Sequence, residues 1–275
     1  MVVRKQKIKN TNNLNYNMKK LLSAILLFFS ITVAAQAQYT MLNAHSHNDY
    51  EQLTPFMLAY NARFGSIEAD IWAVNGDLFV AHNKSDIKAE KSMDSLYIQP
   101  IVRLFRKNGG KAWNNYPSTF QLMIDLKTPV EPTLSLLVEK LKKYPDVFDS
   151  NQNSNAIRIV ITGNRPEPSG FSKYPLFIWF DGNVTLKYDE QQLKRVALYS
   201  ENLAGFTSWK GKEAILENEE IRLKQVIDSV HDLNKKIRFW NAPDDAYAWK
   251  TLMNLKVDYL NTDHIQELST YLQNK

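Results

Sequence analysis

Cysteine is absent from all 275 residues. That excludes disulfides, thiolate metal sites, cysteine nucleophiles and the lipid-modified cysteine of a lipoprotein. Residues 38–275 also lack an internal repeat, a low-complexity tract or a Pro/Gly-rich linker, so nothing in them marks a second domain. No glycine-rich turn follows the first apolar run, which argues against a doubly wound nucleotide-binding sheet. Histidine is sparse: there are five, with none between His82 and His231. Acidic residues are missing from residues 1–37.

The last absence explains the charge. Residues 1–37 hold six of the 34 basic side chains, leaving 28 basic against 29 acidic residues and a net charge of −1 for the remainder. The formal +5 therefore belongs to a leader and gives no reason to expect nucleic acid as a partner. Met18-Lys19-Lys20 reads as a positive n-region, residues 21–35 as an apolar stretch too short for a comfortable membrane span, and Ala35-Gln36-Ala37 as a small-x-small cleavage signal. We expect a signal peptide over 1–37 and an exported, periplasmic or secreted protein over 38–275. A hydrophobic content of 44% can fill the core that such a chain needs without disulfides.

Short apolar runs alternate with helical patterns along residues 38–275. The runs are 41–44, 66–71 with its continuation 78–81, 120–124, 157–161, 176–180, 203–206, 237–240 and 259–261. Helical stretches are expected at 55–64, 95–107, 132–143, 189–200, 218–234, 244–254 and 265–273, with Asp244 and Asp245 offering an N-cap. Eight strands alternating with helices imply parallel pairing, and eight such units close most naturally as a single (β/α)8 TIM barrel. In that fold polar residues at the C-terminal strand ends converge on the active-site face.

Those ends are polar throughout. In Gly65-Ser66-Ile67-Glu68-Ala69-Asp70-Ile71, alternation puts Ile67, Ala69 and Ile71 on one side and the two carboxylates on the other. Asp125 from the next strand adds a third. Three hard oxygen ligands suit one divalent cation, Mg²⁺ or Ca²⁺. Lys127, two residues beyond Asp125, faces the same side and is placed to meet a phosphate oxygen. A metal-free salt-bridge network of the same side chains is the plainer reading. His45 and His82, on either side of the carboxylate pair, form the natural acid–base couple. His47 shares the alternation of His45, His264 follows the final strand, and His231 falls in a helical stretch as a surface residue.

Together, Ala44-His45-Ser46-His47-Asn48, Ile67-Glu68-Ala69-Asp70, Val80-Ala81-His82, Ile124-Asp125-Leu126-Lys127 and Asn261-Thr262-Asp263 resemble the phosphatidylinositol-phospholipase-C-like phosphodiesterases. Within that superfamily the chain is similar to the glycerophosphodiester phosphodiesterases and sphingomyelinase D. The resemblance implies acid–base roles for His45 and His82, metal ligation by Glu68, Asp70 and Asp125, and substrate contacts by Lys127, Trp240 and Asn48. It implies a small-molecule or lipid-headgroup phosphodiester as substrate, attacked by water or by a hydroxyl of its own. The chain departs from the glycerophosphodiesterase pattern at Ser46-His47-Asn48-Asp49-Tyr50, where Arg-Gly usually follows the first histidine, and at Asp125, where Glu is usual. It lacks the cysteines that pin the sphingomyelinase D loops.

Two other readings compete. A zinc-dependent amidohydrolase or histidinol-phosphatase-like hydrolase would use His45-x-His47, but needs further histidines from the middle strands. A secreted, non-catalytic barrel binding a glycan or lipid headgroup would use Trp72, Trp179, Trp209 and Trp240, yet the chain keeps every candidate catalytic group. The rim loops show no long apolar run, so membrane contact is not indicated.

Overall fold

Strands β1 (Ala44–Ser46), β2 (Ser66–Val74), β4 (Gln121–Leu126), β5 (Arg158–Gly163), β6 (Ile178–Gly182), β7 (Val196–Asn202), β8 (Lys236–Trp240) and β9 (Leu260–Thr262) lie parallel in the order β8-β7-β6-β5-β4-β2-β1-β9. A parallel bridge between Arg238 and Tyr259 joins the two ends, closing a (β/α)8 TIM barrel. One further strand, β3 (Asp77–Val80), runs antiparallel to β2 and extends its outer end as a hairpin. This computed structural model describes residues 39–114, 116 and 118–274. The expected leader and its cleavage signal lie outside them. No helix among the described residues is long and apolar enough to cross a membrane.

Alternation along each strand sorts side chains between two environments. Ile67, Ala69 and Ile71 of β2 join Leu122, Ile124 and Leu126 of β4 in the main apolar core, which includes Leu134, Leu137, Leu223, Ile227, Leu252 and Leu268 of the surrounding helices. The opposite faces point into the barrel. There Met123, Val160, Leu198 and Tyr259 form a small separate apolar cluster. Two residues onward along the strands come Asp125, Thr162 and Ser200, so polar side chains succeed this apolar floor toward the C-terminal mouth.

Two expected elements are displaced. The first run, 41–44, is a 3₁₀ turn (Met41–Asn43), and the strand begins at Ala44. The expected sixth strand, 203–206, is a 3₁₀ turn (Leu203–Gly205), while the strand itself, β7, begins within the stretch 189–200 expected to be helical. Only Glu190–Leu193 is helix there, capped by the Asp189 carboxylate, which accepts from the Gln191 and Gln192 amides. β7 is covered on both faces, so its burial shows little alternation, and a short buried run cannot be told from a helix by period. The sixth strand end is therefore Ser200-Glu201-Asn202. Ser208 and Trp209 belong to the loop beyond it.

Candidate active site

Parallel register sets Asp70 of β2 beside Asp125 of β4, with Glu68 one inward position below Asp70. One carboxylate oxygen from each of the three lies within 4.8 Å of the others. Two cations hold these acids together. Lys127 Nζ is 2.9 Å from an oxygen of Asp70 and 2.9 Å from one of Asp125. Arg238, pointing inward from β8, puts Nη1 2.5 Å from Glu68 Oε2 while its Nε donates to Ser200 Oγ. Burial and the neighbouring charges of Asp125 and Glu68 push Asp70 up to about 6 against the pull of Lys127. Burial alone would raise Glu68 too, but Arg238 and His45 hold its carboxyl well below the usual range.

Asp125 needs the glycine beside it. Gly163, at the end of β5, has φ +69°, and a Cβ there would fall 1.8 Å from Asp125 Oδ1. The donor set fits a hard divalent cation. Mg²⁺ and Ca²⁺ take oxygens at about 2.0–2.6 Å, so ligand oxygens up to roughly 5 Å apart can share one ion.

The histidines divide by depth. His45 is fully buried, and both its ring nitrogens are engaged: Nδ1 lies 2.6 Å from Ser66 Oγ and Nε2 2.7 Å from Glu68 Oε2, with Arg238 Nη1 also against Nε2. Burial, then the Arg238 charge, lowers it to about 3. The expected acid–base residue of β1 thus sits beneath the mouth, with both ring nitrogens against neighbouring side chains. His47, two residues on, reaches the rim. Its backbone N–H continues the β1–β9 pairing to Thr262 O, and its Nδ1 lies 2.9 Å from Asp263 Oδ1. Burial pulls its pKa down, but the Asp263 hydrogen bond and the Glu68 charge outweigh it and hold the imidazole above its ordinary value.

His82 follows the β2–β3 hairpin on the other side of the acids, half exposed, with Nδ1 3.6 Å from Asp70 Oδ2. Tyr50 connects the groups. Its hydroxyl is 2.7 Å from Asp70 Oδ2, 2.8 Å from Asn48 Oδ1 and 3.1 Å from His82 Nδ1, and Asn48 Nδ2 is 3.1 Å from His47 Nδ1. Asn48 can turn this corner because it adopts the left-handed conformation, φ 45°, which short polar side chains tolerate. Trp240 stands exposed at the end of β8. His264 is on the surface 4.0 Å from Asp244, and His231 pairs with Asp258 at the N-terminal end of β9, away from the mouth.

Family models match two parts of the chain. The AIM6-like phosphodiesterase domain covers residues 34–169, and the glycerophosphoryl diester phosphodiesterase family covers residues 236–266. Between them they hold both rim histidines, the three carboxylates, Lys127 and Arg238. Both matches support the resemblance to the phosphatidylinositol-phospholipase-C-like phosphodiesterases.

Relatives of this phosphodiesterase domain include altered inheritance of mitochondria protein 6 from Eremothecium gossypii, 25% identical over 84% of this chain and 69% of that one. The homolog from Arthroderma benhamiae is 24% identical over 82% of each chain. A glycerophosphodiester phosphodiesterase structure from Parabacteroides distasonis is similar over 84% of this chain and 97% of that one, at 14% identity and a TM-score of 0.47.

Glu68, Asp70, Asp125, Lys127, His82 and Asn48 lie together at the mouth. Tyr50, Arg238 and Asp263 complete the group without having been singled out for a role. Arg238 carried a signal: alternation in Lys236-Ile237-Arg238-Phe239-Trp240 gives it the face of Trp240, and a cation inside a parallel strand needs an internal acid.

Proposed function

We propose that this protein is an exported, metal-dependent phosphodiesterase acting on a glycerophosphodiester or phospholipid-headgroup-type diester, with His47 and His82 as its acid–base pair. One observation carries the reading. Both rim histidines are anchored through Nδ1, His47 by Asp263 and His82 by Tyr50, and both leave Nε2 without a partner among the described residues. The three-carboxylate cluster, Lys127 and Asn48 belong to the same mouth.

A divalent cation held by Glu68, Asp70 and Asp125, Mg²⁺ or Ca²⁺, would supply positive charge to the nonbridging phosphate oxygens. The chain's own groups do the rest. Lys127 adds a second cation for the phosphate; it is kept protonated because Asp125 and Asp70 outweigh the effect of burial. Asp263 favours protonated His47, which suits it to give a proton from Nε2 to the leaving oxygen as the P–O bond breaks. His82 Nε2 takes the proton of the attacking hydroxyl, and Tyr50 holds its ring in place by accepting from Nδ1–H. Trp240 stands at the opening as a flat surface for the group attached to phosphate. His45, the other histidine of the first strand end, orients Glu68 from below.

The test is a screen of the purified protein against glycerophosphodiesters, lysophospholipids, sphingomyelin and inositol lipids. Release of an alcohol or phosphomonoester, lost with chelator and restored by Mg²⁺ or Ca²⁺, is the expected result. No release from any class would refute it, and restoration by Zn²⁺ alone would favour the amidohydrolase-type rival.

A further inference from the structure

The end of the barrel opposite the mouth carries a charge pattern that the proposed chemistry does not use. There each strand is entered from the segment that follows the preceding helical element: residues 39–44, 62–66, 108–121, 142–158, 174–178, 194–196, 232–236 and 255–260. Together these segments hold ten basic side chains against four acidic ones. The segments that leave the strands at the mouth reverse the balance, with eight basic against twelve acidic. Residues 38–275 have a net charge of −1, yet one end of the barrel has gathered an excess of six positive charges.

Two of these cations close the barrel from below. Arg158, the first residue of β5, lies over the Trp179 ring of β6 at 5.1 Å, and Lys236, the first of β8, lies over Tyr259 at 4.9 Å. Both rings pack in the small inner apolar cluster. Stems laid along an aromatic surface leave the charged heads in solvent. Beside them Lys235 donates to Val196 O, and its pKa is lowered by burial and then by the Arg158 charge, so cations at this end repel one another. None of the three has a carboxylate partner among the described residues. Repulsion that no internal acid relieves is relieved by an external anion.

Composition says which anion it meets. Seven of the ten cations are lysine, a side chain depleted from protein–protein interfaces and without the planar fork that reads a fixed oxyanion. Two leucines stand out on the same end: Leu176, just before β6, is 67% exposed, and Leu233, just before β8, is 42% exposed. Basic side chains dispersed over six segments, with isolated leucines among them, match a fluid layer of anionic headgroups. Such a layer asks for charge and shallow apolar insertion rather than fixed geometry. We propose that this end of the barrel docks on an anionic lipid bilayer. That orientation turns the mouth toward solution, so on the function proposed above the diester arrives dissolved rather than from the bilayer beneath.

The absence of cysteine makes a site-specific test available. Leu176→Cys and, at the mouth, Leu53→Cys each carry a single environment-sensitive fluorophore in the full chain, with residues 1–37 the same throughout. On vesicles of phosphatidylglycerol and phosphatidylcholine the label at position 176 is expected to shift to the blue and the label at position 53 to stay as in buffer. Vesicles of phosphatidylcholine alone should shift neither. Lys194→Glu, Lys236→Glu and Lys256→Glu together, at three exposed positions, bring the excess at this end to zero, and co-sedimentation with the anionic vesicles should fall at least about tenfold. The same three positions changed to Gln keep most of each stem, guard against a charge reversal that fails to fold, and should give an intermediate loss. An unshifted label at position 176, a shift at position 53 instead, or variants that sediment like wild type would overturn the proposal. Binding to soluble polyglutamate that the triple variant loses, with no label shift on vesicles, would place an acidic polypeptide there and overturn it equally. None of these readouts involves turnover, so a failed phosphodiesterase screen leaves the docking surface standing.

Discussion

Arg238 Nη1 lies 2.5 Å from Glu68 Oε2 inside the barrel, both side chains being about 95% buried. The guanidinium also spans Ser200 and Asn261, tying β8 to β7, β9 and β2 across the interior. Removing one partner of a buried pair strands the other charge, at a cost of about 3–5 kcal/mol. Arg238→Met should therefore lose stability on that scale in urea unfolding, and Arg238→Met with Glu68→Gln should recover much of it. Equal losses in the single and double variants would show that the pair does not govern stability.

The three histidines of the site should separate by readout. His47→Ala and His82→Ala should each lower kcat by about 10²–10⁴ with little change in unfolding midpoint. His45→Gln, which disturbs Ser66 and Glu68 in the interior, should lower the midpoint. Full loss of turnover in His45→Gln with an unaltered midpoint would return the acid–base role to His45.

Tyr50 supports His82 and Asp70 without being placed to exchange a proton with substrate. Its pKa is driven upward by burial and then by the Asp70 charge, so it stays a neutral phenol. Tyr50→Phe should keep the fold and reduce kcat about ten- to a hundredfold, the range typical for groups that orient a reacting residue. An unchanged kcat would mean that the His82 ring is fixed by other means.

Gly163 leaves room for one oxygen of Asp125. Gly163→Ala meets both a positive φ and the 1.8 Å approach, so Asp125 must move. Divalent-ion binding, followed by calorimetry on the purified variant, should weaken at least tenfold. Wild-type affinity in this variant would remove Asp125 from the ligand set.

Asp49 gives a pH signature independent of turnover. It is wholly buried, accepts from the Phe56 amide, Ser46 and Tyr97, and is pushed up to about 6 by burial. A carboxyl whose folded pKa exceeds its unfolded value of 3.8 binds its proton more tightly when folded. Its contribution is complete below pH 3.8 and is lost as pH rises toward 6, to a total of about 3 kcal/mol. The stability of wild type relative to Asp49→Asn should fall across that window. A flat difference from pH 4 to 8 would show that the three donors keep Asp49 ionised throughout.

Much of this was legible in the chain because strand alternation is a local property. Ile67-Glu68-Ala69-Asp70 declares its two faces within four residues, and Asp125 with Lys127 does the same on the next strand. β7 was not legible, since Val196-Ala197-Leu198-Tyr199 is a buried run without a period. Arg238 and Asp263 reach the site only when the barrel closes, across sequence separations of 170 and 216 residues. No local pattern encodes which acid an inward arginine will meet. The exchange of His45 for His47 at the rim has a smaller cause. β1 begins three residues later than its apolar run suggests, so the strand end moves outward by one inward-facing position.

The pairing of β1 with β9 also sets an order of events during synthesis. His47 is made early, yet both its backbone partner Thr262 and its side-chain partner Asp263 arrive more than 200 residues later. Until then β1 has an open edge and the rim histidine has no carboxylate. A nascent chain stalled before residue 260 holds Glu68, Asp70 and Asp125 in its sequence but neither of the two partners that fix His47. On the function proposed above, such a chain would lack its proton donor until the ring of strands is complete.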